Sequence, residues 1–593
     1  MDHEKAEVPQ WIEKRYGLLW NRFNNSPFRL EEASEYLTKA NKDHEQDVPV
    51  ILSELRKAGL LKVEMDLTDA RKRIYSLLGT GSIVKNILAK STLSRSDVEG
   101  LLKKAADLIR TRVDYKFILI LLFLKRISDK WEMEYQDAYK EAIKDGLSPK
   151  DAEKEAKSGA YHDFDLPEEF LWDNLRKDVS KLPENLSKAL KVLAERNPDL
   201  KDILADVDFI QFTSNRENAE ILRQLIELFS ERKLHHVSPD ILGDAYEWIL
   251  RYFAPTKAKE GEVYTPREVI QLLVEMLDPK PEESVYDPAC GSAGMLIESY
   301  NHVARKYGPE QAKKLFLYGQ EYNPKTLALA KMNMFIHDIR DCHILQGDTL
   351  RYPKFKEGDG LKLFDVVIAN PPWNQDGYDE DSLKKGEFYK QRFSFGYPPR
   401  QSADWAWIQH MLASAKEHSG RVGIVVDTGA LSRGGKEGAI RQRIIENDLI
   451  ECVILLPEKL FYNTGAPGVV IVLRKEKSIE YKGKILFINA SKEFEQHPDV
   501  RKQNRLNEMN INKISKFYKT FNAEKGFSEI VTITEAKKND YNLSVSLYIV
   551  NEQKSEEVDI QKEWLELKKI EEEMTFVDSK IELFLKTLGW GDK

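Results

Sequence analysis

The spacing of apolar positions changes several times along the chain. Between residues 9 and 78 it marks short helices. The segment LSELRKAGLLKVEMDLTDARKRIYSLL then predicts a helix ending at Gly59, an apolar strand, a charged turn and a second strand over Ile74 to Leu78. From about 92 to 250 the spacing is three and four. Leu101, Leu102, Ala105, Leu108, Ile109 and Val113 line one helical face, and Asp114 to Trp131 carries an apolar centre flanked by Lys116, Lys125, Arg126 and Asp129. Gln136 to Asp165, rich in Lys, Glu, Asp and Ala, reads as a solvated helix and loop. From about 260 to 490 short apolar runs alternate with helical segments: SVYDPACG, KLFLYGQE, CHILQGD, LFDVVIANPPW, GRVGIVVDTGAL, LIECVILLP, GVVIVLRK and KILFINA. Beyond them RLNEMNINKISKFYKTF and YNLSVSLYIV read as a short irregular region. Val558 to Leu588 then places Ile560, Trp564, Leu567, Ile570, Met574, Val577, Ile581, Phe584 and Leu588 at steps of three and four, a long amphipathic helix with coiled-coil spacing.

These patterns divide the chain into four units: 1–80, 90–250, 255–490 and 491–593, in keeping with 593 residues at about 100–200 per domain. The first resembles a winged helix, a module that serves DNA contact or docking, and its residues do not choose between them. The second is a helical domain whose apolar stripe is most simply core. The third is α/β, with seven or eight buried strands in a parallel-rich sheet covered by helices on both faces. The terminal helix either packs back on its own domain or docks on another subunit.

Charge narrows the function. There are 98 acidic against 90 basic residues, net −8, whereas a protein that grips nucleic acid alone over a wide footprint carries a basic excess. Cys290, Cys342 and Cys452 are scattered, without a CxxC pair or histidines at ligand spacing, so neither a disulfide framework nor a zinc site is expected, and a reducing cytoplasm is. The longest apolar run, Phe117 to Leu124, is far short of the ~20 residues that span a bilayer, and MDHEKAEVPQ lacks the pattern of a secretion signal.

Candidate chemistry gathers at the strand ends. Asp287-Pro288-Ala289-Cys290-Gly291-Ser292-Ala293-Gly294 is a glycine turn between a strand and a helix, where doubly wound sheets bind nucleotides. The second strand ends at Glu321, placed to accept hydrogen bonds from ribose hydroxyls; the third ends at Asp348 and the fourth at Asn370-Pro371-Pro372-Trp373. Upstream, Tyr264-Thr265-Pro266 opens a helix, with Thr265 as the expected N-cap and Pro266 at the first helical position, a helix start that also suits a carboxylate.

That succession resembles the S-adenosylmethionine-dependent methyltransferases that act on exocyclic amines, whose catalytic motif is (D/N/S)PP(Y/F/W). The lone pair of such an amine is delocalised into the ring, so attack on a methyl group needs acceptors that draw the nitrogen toward tetrahedral geometry. The side-chain oxygen of Asn370 and the carbonyl of Pro371 can supply two. The prolines stiffen the loop, and Trp373 offers a face to an extruded base. Cytosine C5 chemistry would need a Pro-Cys pair, and none exists. Cytosine N4 chemistry stays open, although its usual motif begins with Ser; Asn370 favours adenine N6.

A closer resemblance covers residues 92 to 480. VDYKFILILLFLKRISD, DILGDAYEWILRYFA, GEVYTPREVIQLLVEML, YDPACGSAGMLI, LYGQEYNPKTLALAKMNMFIH, VVIANPPW and FYNTGAP look like the modification subunit of type I restriction-modification systems. The resemblance implies a Rossmann-like fold and N6-adenine methylation of duplex DNA. It implies a cofactor site at Tyr264, Thr265, Pro266, Asp287, Ala289, Gly291, Ser292, Gly294, Glu321, Asp348 and Asn370, and catalysis at Asn370, Pro371, Pro372 and Trp373. Sequence reading would fall to a separate specificity subunit bound by two modification subunits, with the terminal helix as a docking element. The nuclease and motor would sit on a restriction subunit, since no GxxxxGK(S/T) is present. Two features depart from the pattern: Ala293 stands where glycine is common, and the winged segment is an addition. Arg433-Gly434-Gly435-Lys436 reads either as a phosphate contact or as a solvated turn. RNA or protein glutamine as substrate, and a non-catalytic DNA-binding regulator, are the rival readings.

Overall fold

The computed structural model describes residues 10–23, 26–41, 43–57, 60–65, 73–77, 95–109, 114–204, 207–231, 234, 237, 248–249, 252, 265–461, 464–497, 503–549 and 560–588. The first unit runs α1 (Gln10–Phe23), β1 (Phe28–Arg29), α2 (Leu30–Asn41), α3 (Val48–Lys57), β2 (Leu61–Met65) and β3 (Arg73–Leu77), with antiparallel sheet order β1-β3-β2. This is the winged-helix arrangement. Its apolar positions close into a core of their own that includes Ile12, Tyr16, Leu37, Leu52 and Leu55. The charged turn between β2 and β3 lies outside the described residues.

The helical unit is built around α4 (Arg95–Ile109), α5 (Lys116–Lys144), α6 (Leu182–Arg196) and α7 (Arg216–Ser230). Every residue from Phe117 to Leu124 is buried, because α5 is surrounded by its neighbours and not by lipid or water on one side. Among the described residues no helix is long and apolar enough to cross a membrane.

The large sheet contains β4 (Ser284–Asp287), β5 (Phe316–Glu321), β6 (Cys342–Gln346), β7 (Val366–Ala369), β8 (Arg421–Asp427), β9 (Ile450–Leu455), β10 (Gly468–Arg474), β11 (Lys484–Asn489) and β12 (Ser528–Thr532). Their spatial order is β6-β5-β4-β7-β8-β10-β9-β11-β12. The run from β6 to β8 is parallel throughout. β10 is inserted antiparallel between β8 and β9, and β12 lies antiparallel to β11. The sheet is therefore mostly parallel with two reversed strands. β7 to β11 read as continuous apolar runs because both faces are covered. On one face lie α8 (Arg267–Leu277), α9 (Gly294–Tyr307) and part of α10 (Pro324–Ile336); on the other lie α11 (Asp404–Ala413) and α12 (Gly435–Glu446).

The core continues past the boundary expected at 490. The stretch read as irregular forms α13 (Glu508–Thr520), opened by a capping box between Asn507 and Asn510, and it buries Ile511, Ile514 and Tyr518 in the same core as α8. β12 completes the sheet edge. Only then comes α14 (Ile560–Thr587), whose described side chains from Trp564 onward are all exposed.

α10 serves two cores at once. Leu327, Ala330 and Met334 pack toward the sheet, while Met332 and Ile336 are buried in the core of the helical unit. Phe335 meets Phe123 and Phe164, Lys130 reaches Asp338 at 2.8 Å, and Arg340 pairs with Asp163.

Candidate functional site

Because β4, β5, β6 and β7 are parallel neighbours, their carboxyl ends fall along one edge, and the predicted strand-end residues meet there. After β4 the loop folds around its own Asp287, whose Oδ1 accepts from the Ala289 N–H at 3.0 Å. Burial, reinforced by the nearby Glu321 carboxylate, pushes the Asp287 carboxyl up to about 8. Gly291 takes the turn with φ +53, and a side chain there would point into open space. The Gly291 N–H donates to Glu321 Oε2 at 3.0 Å, and the Asn323 N–H donates to Oε1 at 2.8 Å. Glu321 thus ties the end of β5 to the loop after β4. Ser292 presents its carbonyl to Asn333 Nδ2 of α10 at 2.9 Å, and Gly294 begins α9.

Ala293 adopts φ +66 and ψ +19, the left-handed region where a side chain costs energy. The departure from glycine noted in the sequence therefore retains the glycine conformation, under strain. Cys290 is buried, and burial raises its thiol well above the ordinary range. Its Sγ lies 3.0 Å from where a Cβ on Gly319 would stand, so Cys290 fills a gap against β5 and is no nucleophile.

Asp348, just past β6, accepts from the Arg351 N–H at 3.2 Å and from the Tyr378 hydroxyl at 3.2 Å, with the Arg351 guanidinium 5.0 Å from the Tyr378 ring centre. At the end of β7 Asn370 is buried, Pro371 is buried, and Pro372 and Trp373 are half-buried. Asn370 Nδ2 donates to Thr265 Oγ1 at 2.8 Å, and the Trp373 indole N–H donates to Asn370 Oδ1 at 2.9 Å. The indole rests edge-on against Phe461, centroids 4.8 Å apart.

Two expectations are corrected. Thr265 does not cap α8: the cap position is Pro266, without a side-chain cap bond, and the helix starts at Arg267. The Thr265 hydroxyl is drawn away to Asn370. The Arg433 turn is not a free phosphate contact either. Its guanidinium pairs with Asp404, with Glu437 at 2.6 Å and with Asp427 at 3.3 Å, and it donates to Asn374 Oδ1 at 2.7 Å. Asn374, directly after the tetrapeptide, has φ +52 and donates its N–H to Asp404 at 3.0 Å. Burial raises the Asp404 carboxyl despite these partners. This hub, and Asn333, escaped the sequence reading; Asp404 and Asn374 stand 29 and 59 residues from Arg433, and Ser292 stands 41 residues from Asn333. Tyr264 lies outside the described residues.

The arrangement presents an oriented amide next to a loop with room in front of it, flanked by carboxylates. Residues 237–557 match the N-6 DNA methylase family, and residues 98–229 match the HsdM N-terminal domain. The chain is 44% identical over 578 residues to the type I restriction enzyme MjaVII methylase subunit of Methanocaldococcus jannaschii, covering 96% of each. It is 31% identical over 403 residues to the HindI methylase subunit of Haemophilus influenzae, covering 64% of this chain and 85% of that one. A type I restriction-modification methyltransferase subunit from Streptococcus thermophilus superposes with TM-score 0.66 at 25% identity, over 77% of this chain and 100% of that one.

Proposed function

The chain belongs to the N-6 DNA methylase family, among the methylase subunits of type I restriction enzymes, and from that membership we propose that it transfers a methyl group from S-adenosylmethionine to the N6 amine of adenine in duplex DNA. One observation carries the site assignment: the Asn370 amide stands at the end of β7, beside the loop that leaves the adjacent strand β4. The residues around that loop suit the cofactor. The space before Gly291 is open, Asp287 and Glu321 offer carboxylate oxygens, and a cation placed there would offset the burial that raises Asp287. We assign cofactor contacts to Thr265, Pro266, Asp287, Ala289, Gly291, Ser292, Gly294, Glu321 and Asp348. S-adenosylmethionine supplies, when bound, an electrophilic methyl carbon on a sulfonium.

The chain's own residues do the rest. Asn370 Oδ1 and the Pro371 carbonyl accept hydrogen bonds from the two amine N–H groups and turn the nitrogen lone pair out of the ring. Pro371 and Pro372 hold these acceptors still, and Trp373 supports the extruded base. Both acceptors are weak bases, so the proton shed by the methylated nitrogen passes on to water.

A separate specificity subunit reads the sequence, two copies of this chain joining each one, with a restriction subunit completing the assembly in a prokaryotic cytoplasm. The exposed apolar ridge of α14, including Trp564, Ile570, Met574 and Phe584, supports a docking role for that helix. The test is methyl transfer from labelled cofactor by the complex with its specificity subunit, offered duplex DNA, RNA and protein side by side, with sequencing of host DNA to identify the modified base. N6-methyladenine in DNA is expected, and Asn370→Ala remains folded and inactive. Label in cytosine, RNA or protein, or full activity in Asn370→Ala, overturns the proposal.

A further inference from the structure

The amide of Asn370 is held from both sides, and the chemistry of the two partners fixes which way round it sits. An indole N–H can only donate, so the amide atom facing Trp373 at 2.9 Å is the oxygen. The nitrogen then faces Thr265 at 2.8 Å, and since an amide NH2 can only donate, the Thr265 hydroxyl accepts. A hydroxyl alone could not choose, because it serves either orientation by donating or accepting. The indole selects the orientation and the hydroxyl holds it. The indole is itself braced: it leans on Phe461, and a Cβ on Gly468 would stand 2.5 Å from the Phe461 ring and 3.2 Å from the Trp373 ring, so glycine keeps room for both.

An amide oxygen has two lone pairs, and Trp373 occupies one. The other remains for the target amine. We propose that Thr265 and Trp373 are positioning residues that orient Asn370, so that its oxygen and not its nitrogen meets the substrate amine. The Thr265 hydroxyl thereby has a task on the acceptor side of the reaction, beyond the cofactor contact assigned to its motif. A flipped amide would present NH2 to NH2 and repel the substrate. This inference rests on the amine-methylation reading of the site, and its test includes a measurement that does not depend on that reading.

The experiment uses the full chain. In the complex with its specificity subunit, single-turnover methyl transfer is measured at saturating cofactor and DNA for wild type, Thr265→Val, Thr265→Ser, Trp373→Phe and the Thr265→Val/Trp373→Phe double variant. Loss of one neutral hydrogen bond predicts a rate at saturating cofactor about tenfold lower in Thr265→Val, over and above any loss of cofactor affinity that equilibrium dialysis records. Thr265→Ser recovers most of the rate. The double variant costs less than the product of the single effects, because both act on one amide. Independently of any activity, the Trp373 indole N–H, identified as the proton-nitrogen resonance missing from Trp373→Phe, shifts in Thr265→Val and in Asn370→Ala but not in Thr265→Ser. An unmoved resonance in Thr265→Val overturns the proposal. So does a Thr265→Val enzyme whose whole defect is weaker cofactor binding. Inactivity of wild type on every amine substrate would count against the methylation reading alone, with the resonance still deciding the orientation.

Discussion

Asn333, in the middle of α10, donates its side-chain amide to the Ser292 carbonyl 2.9 Å away, so the helix that follows β5 holds the loop that follows β4. Asn333→Leu keeps the branched shape and removes the donor. A net loss of about 1 kcal/mol predicts cofactor affinity about fivefold weaker. Titration calorimetry checks this, and wild-type affinity in Asn333→Leu would mean that the loop holds itself.

Ala293 tests the strain directly. A left-handed alanine costs about 1–2 kcal/mol, whereas glycine costs about 0.4–1 kcal/mol through the unfolded chain. Ala293→Gly should therefore raise stability by about 0.5–1 kcal/mol, read as a higher urea midpoint. Ala293→Val, β-branched at φ +66, should lower it by more than about 1 kcal/mol.

Arg433 separates a buttress from a phosphate contact. The Asp404 and Glu437 side chains are only 2% exposed, and Arg433→Met leaves both without their cation. A loss of about 3 kcal/mol follows for an uncompensated buried charge, together with slower methyl transfer as Asn374 loosens behind the tetrapeptide. The salt dependence of DNA binding by the complex should keep its slope. A slope smaller by about one would restore the phosphate reading.

The junction of α8 with α9 predicts a pH profile. His302 Nε2 lies 2.8 Å from Asp278 and its Nδ1 3.4 Å from Glu275, while Lys306 and Lys519 pair with the same two carboxylates. Burial works to lower the His302 pKa, but the hydrogen bonds to Asp278 and Glu275 outweigh it and raise the value. Hydrogen bonding to His302, opposed by burial, holds Glu275 down at about 2 and Asp278 lower still. Stability from the raised histidine is complete below its unfolded pKa of about 6.5 and is lost as pH rises through the folded value. Stability from the depressed carboxylates is present above about 4.5 and is lost as pH falls toward their folded values. The difference in urea midpoint between wild type and His302→Gln should plateau between about pH 5 and 6.5. His302→Gln should flatten the alkaline limb, and an unchanged limb would assign the loss to other groups.

Removing residues 560–593 takes away a helix whose described side chains are all exposed. Thermal unfolding of the remaining chain should stay unchanged, while co-purification with the specificity subunit is lost. A truncated chain that still co-purifies would move the docking surface elsewhere.

The convergence of Asp287, Glu321, Asp348 and Asn370 was legible because each closes an apolar run at a strand end, where local sequence announces itself. Thr265 was misread because Thr-Pro before an amphipathic helix has the form of a cap. Nothing local reveals an amide 105 residues away competing for its hydroxyl. The Arg433 turn stayed open between two readings because, although Glu437 lies one helical turn on, Asp404 stands 29 residues away on another element. α13 was missed because its buried face is only Ile511, Ile514, Ser515 and Tyr518 within an otherwise polar stretch. The five-residue β12 offers too few alternations to stand out.

The double allegiance of α10 bears on how such proteins can exchange parts. A swap of the amino-terminal helical unit between relatives, cut at the obvious seam near residue 255, would leave Met332, Phe335 and Ile336 facing a foreign surface and Arg340 without Asp163. The compatible inheritance unit is discontinuous: the helical unit together with residues 324–340, taken from the middle of the α/β sequence. Recombination that respects folding must therefore carry two segments at once, which ties the helical unit to the loop after β4 that the same helix holds through Asn333.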